Sequence, residues 1–495
     1  MIKLYSKEIK IVFLIFIFKI ILISLVPLTG DEAYFIKWGN TLSMGYYDHP
    51  PMVGWLIYLM SFVSDNYVFY RFFSVATTLI VAYLIYKIAQ LYMEQKRAFY
   101  IALLFLASPV DILISLFTND VALLLFGTLG VFFLLYSFEK ERKTLYAILS
   151  GLFLGFAFLS KYFAAFLLIS LLIFVFIKYK TKAIKNVSII SVIVILAIAQ
   201  NLYFNYNCCW NNIMFNFFAR TSSEYNLETI GNFFLNLTYL VTPWGFYFLY
   251  KSRKNFKNND LMKLISSILI LIFVVFFIVA LKNELGIHWF ILFIPYLFLL
   301  FSFLDDVYLL KLFKYNYIFT FIHIIILFVA LSIPTSFLEK QKYYSDIIYA
   351  TEPELICKKF EQYADGELFT LGYTTASMLS YSCKRDIKML FNDSKFGRLD
   401  DKLLDIRSLD AKDIYLFDNH EIKTNELDGV CTEVLIEEFY IKGAKFHMAK
   451  CSGFNYESYK KEHLELQKKR FYTIAKWLPI GKCYFLDRYY EGKRD

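Results

Sequence analysis

Apolar residues in this chain come in blocks of about twenty. At 1.5 Å per residue, such a block crosses a hydrocarbon core about 30 Å thick as one helix. Eleven candidate spans can be read, at 9–27, 67–88, 97–117, 120–138, 144–160, 162–178, 185–205, 232–251, 262–282, 287–304 and 312–331. Only 19% of the 495 residues are charged, against about 25% in a soluble domain. Together these features exclude a disordered chain, a collagen and a coiled coil. Beyond Pro334 the composition turns polar and mixed. The reading is therefore a mainly α, polytopic helical membrane protein over 1–334, followed by a small α/β domain over 335–495.

Charge orients the bundle. The net charge of +9 belongs to the membrane half, since the tail beyond Pro334 is close to neutral. Basic residues gather in alternate connections: Lys3, Lys7 and Lys10; Lys87, Lys96 and Arg97; Lys140, Arg142 and Lys143; Lys178, Lys180, Lys182 and Lys185; Lys251, Arg253, Lys254, Lys257 and Lys263; Lys311 and Lys314. The intervening connections are poor in Lys and Arg. This alternation predicts a cytoplasmic N-terminus and a tail outside. The first apolar run is long and no small-residue cleavage site follows it, so it reads as a retained span rather than a signal peptide. No basic, aromatic-interleaved segment points to nucleic acid.

The unusual polar residues fall at the outer ends of the spans. The first outer loop reads Gly30-Asp31-Glu32-Ala33-Tyr34, then Gly45-Tyr46-Tyr47-Asp48-His49-Pro50-Pro51. Arg71, Asn119-Asp120, Ser160-Lys161-Tyr162, Asn205 to Asn212, Arg220, Lys282, Glu284 and His288-Trp289 follow on the same side. Ionisable groups at membrane depth are costly and mark sites or pathways. Their convergence from one side predicts a cavity at the outer leaflet.

Each group also has a plainer reading. Adjacent residues on a helix do not share a face, so one of Asp31 and Glu32 can face the cavity while the other takes a structural partner or caps the helix start. The two prolines hold Asp48 and His49 rigidly extended, or simply stiffen the entry to the next helix. Lys161 can snorkel, Trp289 belongs to the interfacial belt, and Arg71 and Arg220 can each contact lipid headgroups. Taken together, the groups suit transfer of a sugar from a lipid phosphate. Lys161, His49, Arg71 or Arg220 would stabilise the leaving phosphate. Asp31 would take a proton from the acceptor hydroxyl, through an oxocarbenium-like transition state.

The stretch from Asp31 to Pro51 resembles the first outer loop of the protein O-mannosyltransferase and lipid A aminoarabinose transferase superfamily. These are polyprenyl-phosphate-sugar-dependent glycosyltransferases with the C-type membrane fold. The run into Leu159-Ser160-Lys161-Tyr162, the Trp210-Asn211 region and His288-Trp289 resemble its bacterial branch. The resemblance covers about residues 10–300. It implies that Asp31 is the catalytic carboxylate. Beside it, Glu32, Tyr34, Asp48, His49, Arg71, Asp120, Lys161, Arg220 and His288 are the candidate substrate-binding residues. The aminoarabinose branch carries Lys before the Pro-Pro pair, where it binds the lipid phosphate. Here that position is His49, which leaves the acceptor open among lipid A, another glycolipid and a protein hydroxyl.

No metal is assigned, although Asp31, Glu32 and Asp120 could hold Mg²⁺ or Mn²⁺ through oxygen ligands. In the tail, 368–373, 387–391, 413–417, 430–440 and 444–451 read as strands, with helices at 374–383 and 455–476. It shows no Gly-rich phosphate loop, and its plain reading is a cover for the cavity or a surface for the acceptor. Of the seven cysteines, Cys431 with Cys451 and Cys357 with Cys383 are candidate pairs, and an odd total leaves at least one thiol free. Adjacent Cys208-Cys209 is not a zinc pattern. The rival readings are a transporter of lipid-linked sugar, against which no internal repeat is seen, and a lipid-binding receptor built on a decayed enzyme.

Overall fold

The computed structural model describes residues 5–219, 224–394, 397–424, 427–479 and 481–492. Within them the chain up to Ser332 is helical, and a five-stranded sheet follows in the tail. The first ten helices are α1 (Ser6–Leu25), α2 (Gly30–Asn40), α3 (Met52–Ser61), α4 (Tyr67–Ala89), α5 (Gln95–Leu106), α6 (Pro109–Leu113), α7 (Asn119–Glu139), α8 (Lys143–Ser160), α9 (Ala164–Tyr179) and α10 (Ile184–Tyr206). Further long helices run over Leu227–Val241, Asp260–Ala280 and Asp306–Ser332.

Six helical stretches among the described residues are long and apolar enough to cross a membrane. The eleven expected segments are thus not eleven uninterrupted spanning helices. Segment 97–117 breaks after α5 at Ser108-Pro109, because proline restrains the residue before it and donates no hydrogen bond. Segment 232–251 breaks at Thr242, whose φ of 67° cannot continue a helix, ahead of Pro243. Segment 287–304 opens as a 3-10 turn over Ile287–Phe293 and becomes α-helical only at Ile294. Only 17% of the apolar window in Asp306–Ser332 is buried. Ile80, Leu196, Ile270 and Ile326 also point outward. Apolar side chains in this number on an outer surface belong against lipid.

The bundle has two chemically different ends. Asp120 starts α7 and Glu139 ends it, about 30 Å apart along the axis. Lys178 bridges Glu139 at 3.0 Å and Asp260 at 3.4 Å at one end. Asp120 pairs with Lys161 at the other. The tail packs at the Asp120 end. There α1 and α2 meet at 75°, so α2 runs across the end of the bundle instead of continuing the span.

The sheet has the order β2-β1-β3-β5-β4, from β1 (Glu367–Thr370), β2 (Lys388–Met389), β3 (Ile414–Asp418), β4 (Cys431–Ile441) and β5 (Ala444–Phe454). β1 lies parallel to β2 and β3, while β5 runs antiparallel to both β3 and β4. The Tyr373–Cys383 helix supplies the β1–β2 crossover. One apolar cluster belongs to both halves: Ala33, Tyr34, Ile36 and Trp38 of α2 share a core with Ala376, Met378 and Phe417. Cys357–Cys383 and Cys431–Cys451 are disulfide-bonded. A third bond, Cys209–Cys483, ties the membrane half to the tail and leaves Cys208 as a buried thiol.

Candidate active site

The site is built around the N-terminus of α2. Thr29 caps that helix by accepting a hydrogen bond from the Glu32 backbone N–H, and Glu32 reaches back to the Thr29 N–H at 3.2 Å. This reciprocal pair satisfies two helix-end donors and points Glu32 away from solvent. Arg71 of α4 then closes on it, Nε to Oε1 at 2.8 Å and Nη2 to Oε2 at 2.6 Å. The remaining Arg71 donors go to the carbonyls of Ile23, Val26 and Pro27. Glu32 and Arg71 are both buried. An arginine has five N–H donors, and here all five are used. The expected contact of Arg71 with a lipid phosphate, and of Glu32 with substrate, is corrected accordingly: together they fix the α1–α2 corner.

Asp31, one residue earlier, faces the other way and is exposed to solvent. Its Oδ1 accepts a hydrogen bond from the Tyr373 hydroxyl at 3.2 Å. Protein crowds the carboxyl without sealing it off. Burial therefore raises its pKa, the Tyr373 bond lowers it, Asp48 raises it and His49 lowers it. Asp48 and His49 thus lie within electrostatic reach of Asp31. Tyr34 is buried with its ring edge-on to Tyr373 at 4.8 Å.

The loop that presents Asp48 and His49 is held from several sides. Trp38 stacks flat on Tyr46 at 4.5 Å, and the Tyr46 hydroxyl donates to the Trp38 carbonyl at 2.7 Å. Asn212 donates to the carbonyls of Tyr46 and Tyr47, and Asn216 donates to that of Asp48 at 2.9 Å. Asn212 is itself fixed by Tyr162, whose hydroxyl oxygen lies 2.8 Å from the side-chain oxygens of both Asn212 and Asn201 and has one proton to donate between them. Within this frame His49 Nδ1 lies 3.0 Å from Asp48 Oδ2.

Asp48, His49 and Pro50 form the polar end of a cavity of about 970 Å³. Lys161 also lines it, with Nζ 2.8 and 3.0 Å from the Asp120 oxygens. Lys282 and Glu284 lie on another part of its wall, and Phe158, Phe166, Ile198, Phe217, Phe276 and Trp289 supply apolar lining. An apolar hollow with a few charged groups suits a lipid that carries one polar head. His288 is exposed next to Trp289, and of the two it is Trp289 that lines the cavity. Arg220 lies outside the described residues. The carboxylates considered for a metal do not converge, because Glu32 is paired with Arg71 and Asp120 with Lys161. Among the described residues no group of three or more His, Cys, Asp or Glu side chains is placed to hold a metal ion.

Comparison with known proteins bears on this geometry. The sequence model of the dolichyl-phosphate-mannose-protein mannosyltransferase family matches residues 48–204. That region takes in His49, Arg71, Asp120 and Lys161 but begins after Asp31. The lipid A galacturonosyltransferase RgtD of Rhizobium johnstonii is 26% identical over 181 residues, covering 35% of this chain and 38% of that protein. The crystal structure of ArnT from Cupriavidus metallidurans bound to undecaprenyl phosphate superposes with a TM-score of 0.64 at 11% identity, over 90% of this chain and 98% of that one. Its apo form gives 0.62 at 12% identity, with the same coverage. The chain has the C-type membrane glycosyltransferase fold. The resemblance drawn from the first polar loop is met by a family-model match that begins at residue 48 and by a shared fold.

Tyr373, Asn201, Asn212 and Asn216 complete the surroundings of the loop, and of these only Asn212 stood among the outer-side polar residues of the sequence. The asparagines had a signal, since Asn201 and Asn205, like Asn212 and Asn216, are spaced four apart and share a helix face. Tyr373 had none, because it reaches Asp31 across 342 residues of sequence.

Proposed function

We propose that the chain is an inverting glycosyltransferase that moves a sugar from a polyprenyl-phosphate donor to a cell-envelope acceptor, a glycolipid such as lipid A or a protein hydroxyl. The observation that carries this reading is Asp31: a solvent-reachable carboxylate beside the Asp48–His49 end of an apolar cavity. In the step proposed, Asp31 takes the proton of the acceptor hydroxyl. The acceptor oxygen bonds to the anomeric carbon as the carbon–oxygen bond to phosphate breaks, and the electron pair leaves with the lipid phosphate. That leaving group needs a positive neighbour more than a proton donor. Lys161 and His49, which line the cavity, would provide it, and the apolar lining would take isoprenoid units. The likeness to a lipid A galacturonosyltransferase and to an undecaprenyl-phosphate-bound structure supports the donor class.

The alternating basic connections support a place in the bacterial cytoplasmic membrane, with the N-terminus cytoplasmic and the site and tail on the outer face. The test is reconstitution with labelled polyprenyl-phosphate sugars and envelope acceptors, comparing wild type with Asp31→Asn. Transfer by the wild type and a loss of about a hundredfold or more in the variant is expected. Equal rates would remove Asp31 from the role of base. Movement of donor between leaflets without product would make the chain a transporter.

A further inference from the structure

The tail reaches the candidate base directly. We infer that Tyr373, contributed by the C-terminal domain, is a positioning residue for Asp31: its hydroxyl holds one carboxylate oxygen so that the other faces the acceptor. The inference rests on the reading of Asp31 as the base.

Three observations carry it. Tyr373 opens the Tyr373–Cys383 helix, and its hydroxyl donates to Asp31 Oδ1 at 3.2 Å. Among the described residues Asp31 Oδ2 has no hydrogen-bond partner, so one oxygen is tied and the other stays available. Next to this contact the Gly30 backbone is pressed against the Thr374 side chain. A Cβ built on Gly30 would lie 2.6 Å from Thr374 Cβ, closer than real Cβ atoms approach. Residues 30 and 31 of the membrane half therefore lie directly against 374 and 373 of the tail. The tyrosine is itself clamped. Its ring meets Tyr34 edge-on at 4.8 Å. From the other side comes Gly397, whose φ is 75° and whose added Cβ would fall 2.2 Å from Tyr373 Cβ.

The helix behind Tyr373 is anchored along its length. Tyr381 donates to the Asp65 carbonyl at 3.1 Å and accepts from the Tyr67 N–H at 3.1 Å. Lys37 on α2 pairs with the buried Asp400 of the tail. A hydroxyl held this firmly differs from a surface tyrosine that meets a carboxylate by chance. A side chain on a mobile domain gives up rotamer freedom to make such a bond, whereas here packing has already restricted it.

Two electrostatic features fit the assignment. Tyr373 is itself pushed up, by burial first and then by Asp31 and Asp48, so it remains a donor throughout the neutral range. Its bond lowers the pKa of Asp31, opposing the effect of burial. Burial raises the proton affinity of this base, and the one hydrogen bond opposes that rise.

The experiment compares wild type, Tyr373→Phe and Thr374→Ala, all full-length in proteoliposomes. Tyr373→Phe is expected to lower kcat about tenfold with the donor KM unchanged within twofold, and to move the acid limb of the pH–rate profile to higher pH. Thr374→Ala, at the same seam without the hydroxyl contact, is expected to keep the wild-type profile. A Tyr373→Phe profile that superposes on wild type, with kcat within twofold, would overturn the inference. A fall in kcat with an unmoved acid limb would also overturn it, since that marks a packing role only. A second readout does not need turnover: carbodiimide labels protonated carboxyls, and the pH midpoint of Asp31 labelling, read by peptide mass, is expected to rise in Tyr373→Phe. If no donor is transferred by any form, the proposed function fails on its own account, and the labelling midpoint still decides the assignment of Tyr373.

Discussion

Arg71 holds Glu32 through two parallel hydrogen bonds, Nε to Oε1 at 2.8 Å and Nη2 to Oε2 at 2.6 Å, in a fully buried setting. The same carboxylate accepts from the Phe117 N–H at 3.1 Å and from the Thr29 hydroxyl at 2.9 Å. One ion pair thus joins α1, α2, α4 and the segment before α7. Removing one partner leaves the other charged, buried and unmatched, which costs roughly 3–5 kcal/mol. Arg71→Met is expected to lower thermal stability in detergent by that order, while the donor KM of the folded fraction stays at wild type. Arg71→Lys is expected to rescue little, because an ammonium cannot reproduce five fixed donors. A weakened donor KM at unchanged stability would return Arg71 to the substrate site.

Asp31 must be ionised to accept a proton. Burial raises its pKa, so activity is expected to rise with pH through a limb above the usual carboxylate value of about 3.9. Asp48→Asn removes a nearby negative charge that holds that value up. The limb is then expected to move to lower pH. A limb that stays put or moves upward would show that Asp48 does not act on the base.

Lys161 and Asp120 make a paired cation at the cavity wall. Lys161→Ala is expected to raise the apparent donor KM more than the acceptor KM, measured by varying each substrate in turn. The reverse order would take Lys161 away from the phosphate. Asp120→Asn leaves the ammonium unpaired and is expected to tighten binding of undecaprenyl phosphate at the expense of stability.

Asn212 anchors the loop before the proline pair through the carbonyls of Tyr46 and Tyr47. Losing those bonds leaves buried acceptors unmatched, at about 1–3 kcal/mol each. Asn212→Ala is expected to reduce kcat and weaken donor binding together, because Asp48 and His49 ride on that loop. An unchanged kcat/KM would show that the prolines alone position it.

Much of this could be read in the sequence where the physics is local. Apolar runs of membrane length, basic connections and the Asp31–Pro51 loop pointed to the fold, and the β4–β5 hairpin with its Gly443 turn placed Cys431 near Cys451. Periodicity failed where one residue changed the backbone, as at Pro109 and Thr242. It also failed where a charged side chain had to be assigned a direction. Asp31 and Glu32 are neighbours with the same chemistry. Only the capping arrangement with Thr29, visible as Thr-x-x-Glu, says which of them turns inward. The contacts across the seam, Tyr373 with Asp31 and Lys37 with Asp400, join residues more than 300 apart and leave no local trace.

The bond between Cys209 and Cys483 spans 274 residues, and this sets an order on biogenesis. The first cysteine is synthesised with the helical bundle, but its partner emerges only after the whole sheet has been made. Until then the seam that brings Tyr373 to Asp31 is held by noncovalent contacts alone. The bond can form only after both halves have been made, and it then ties the membrane half to the tail covalently.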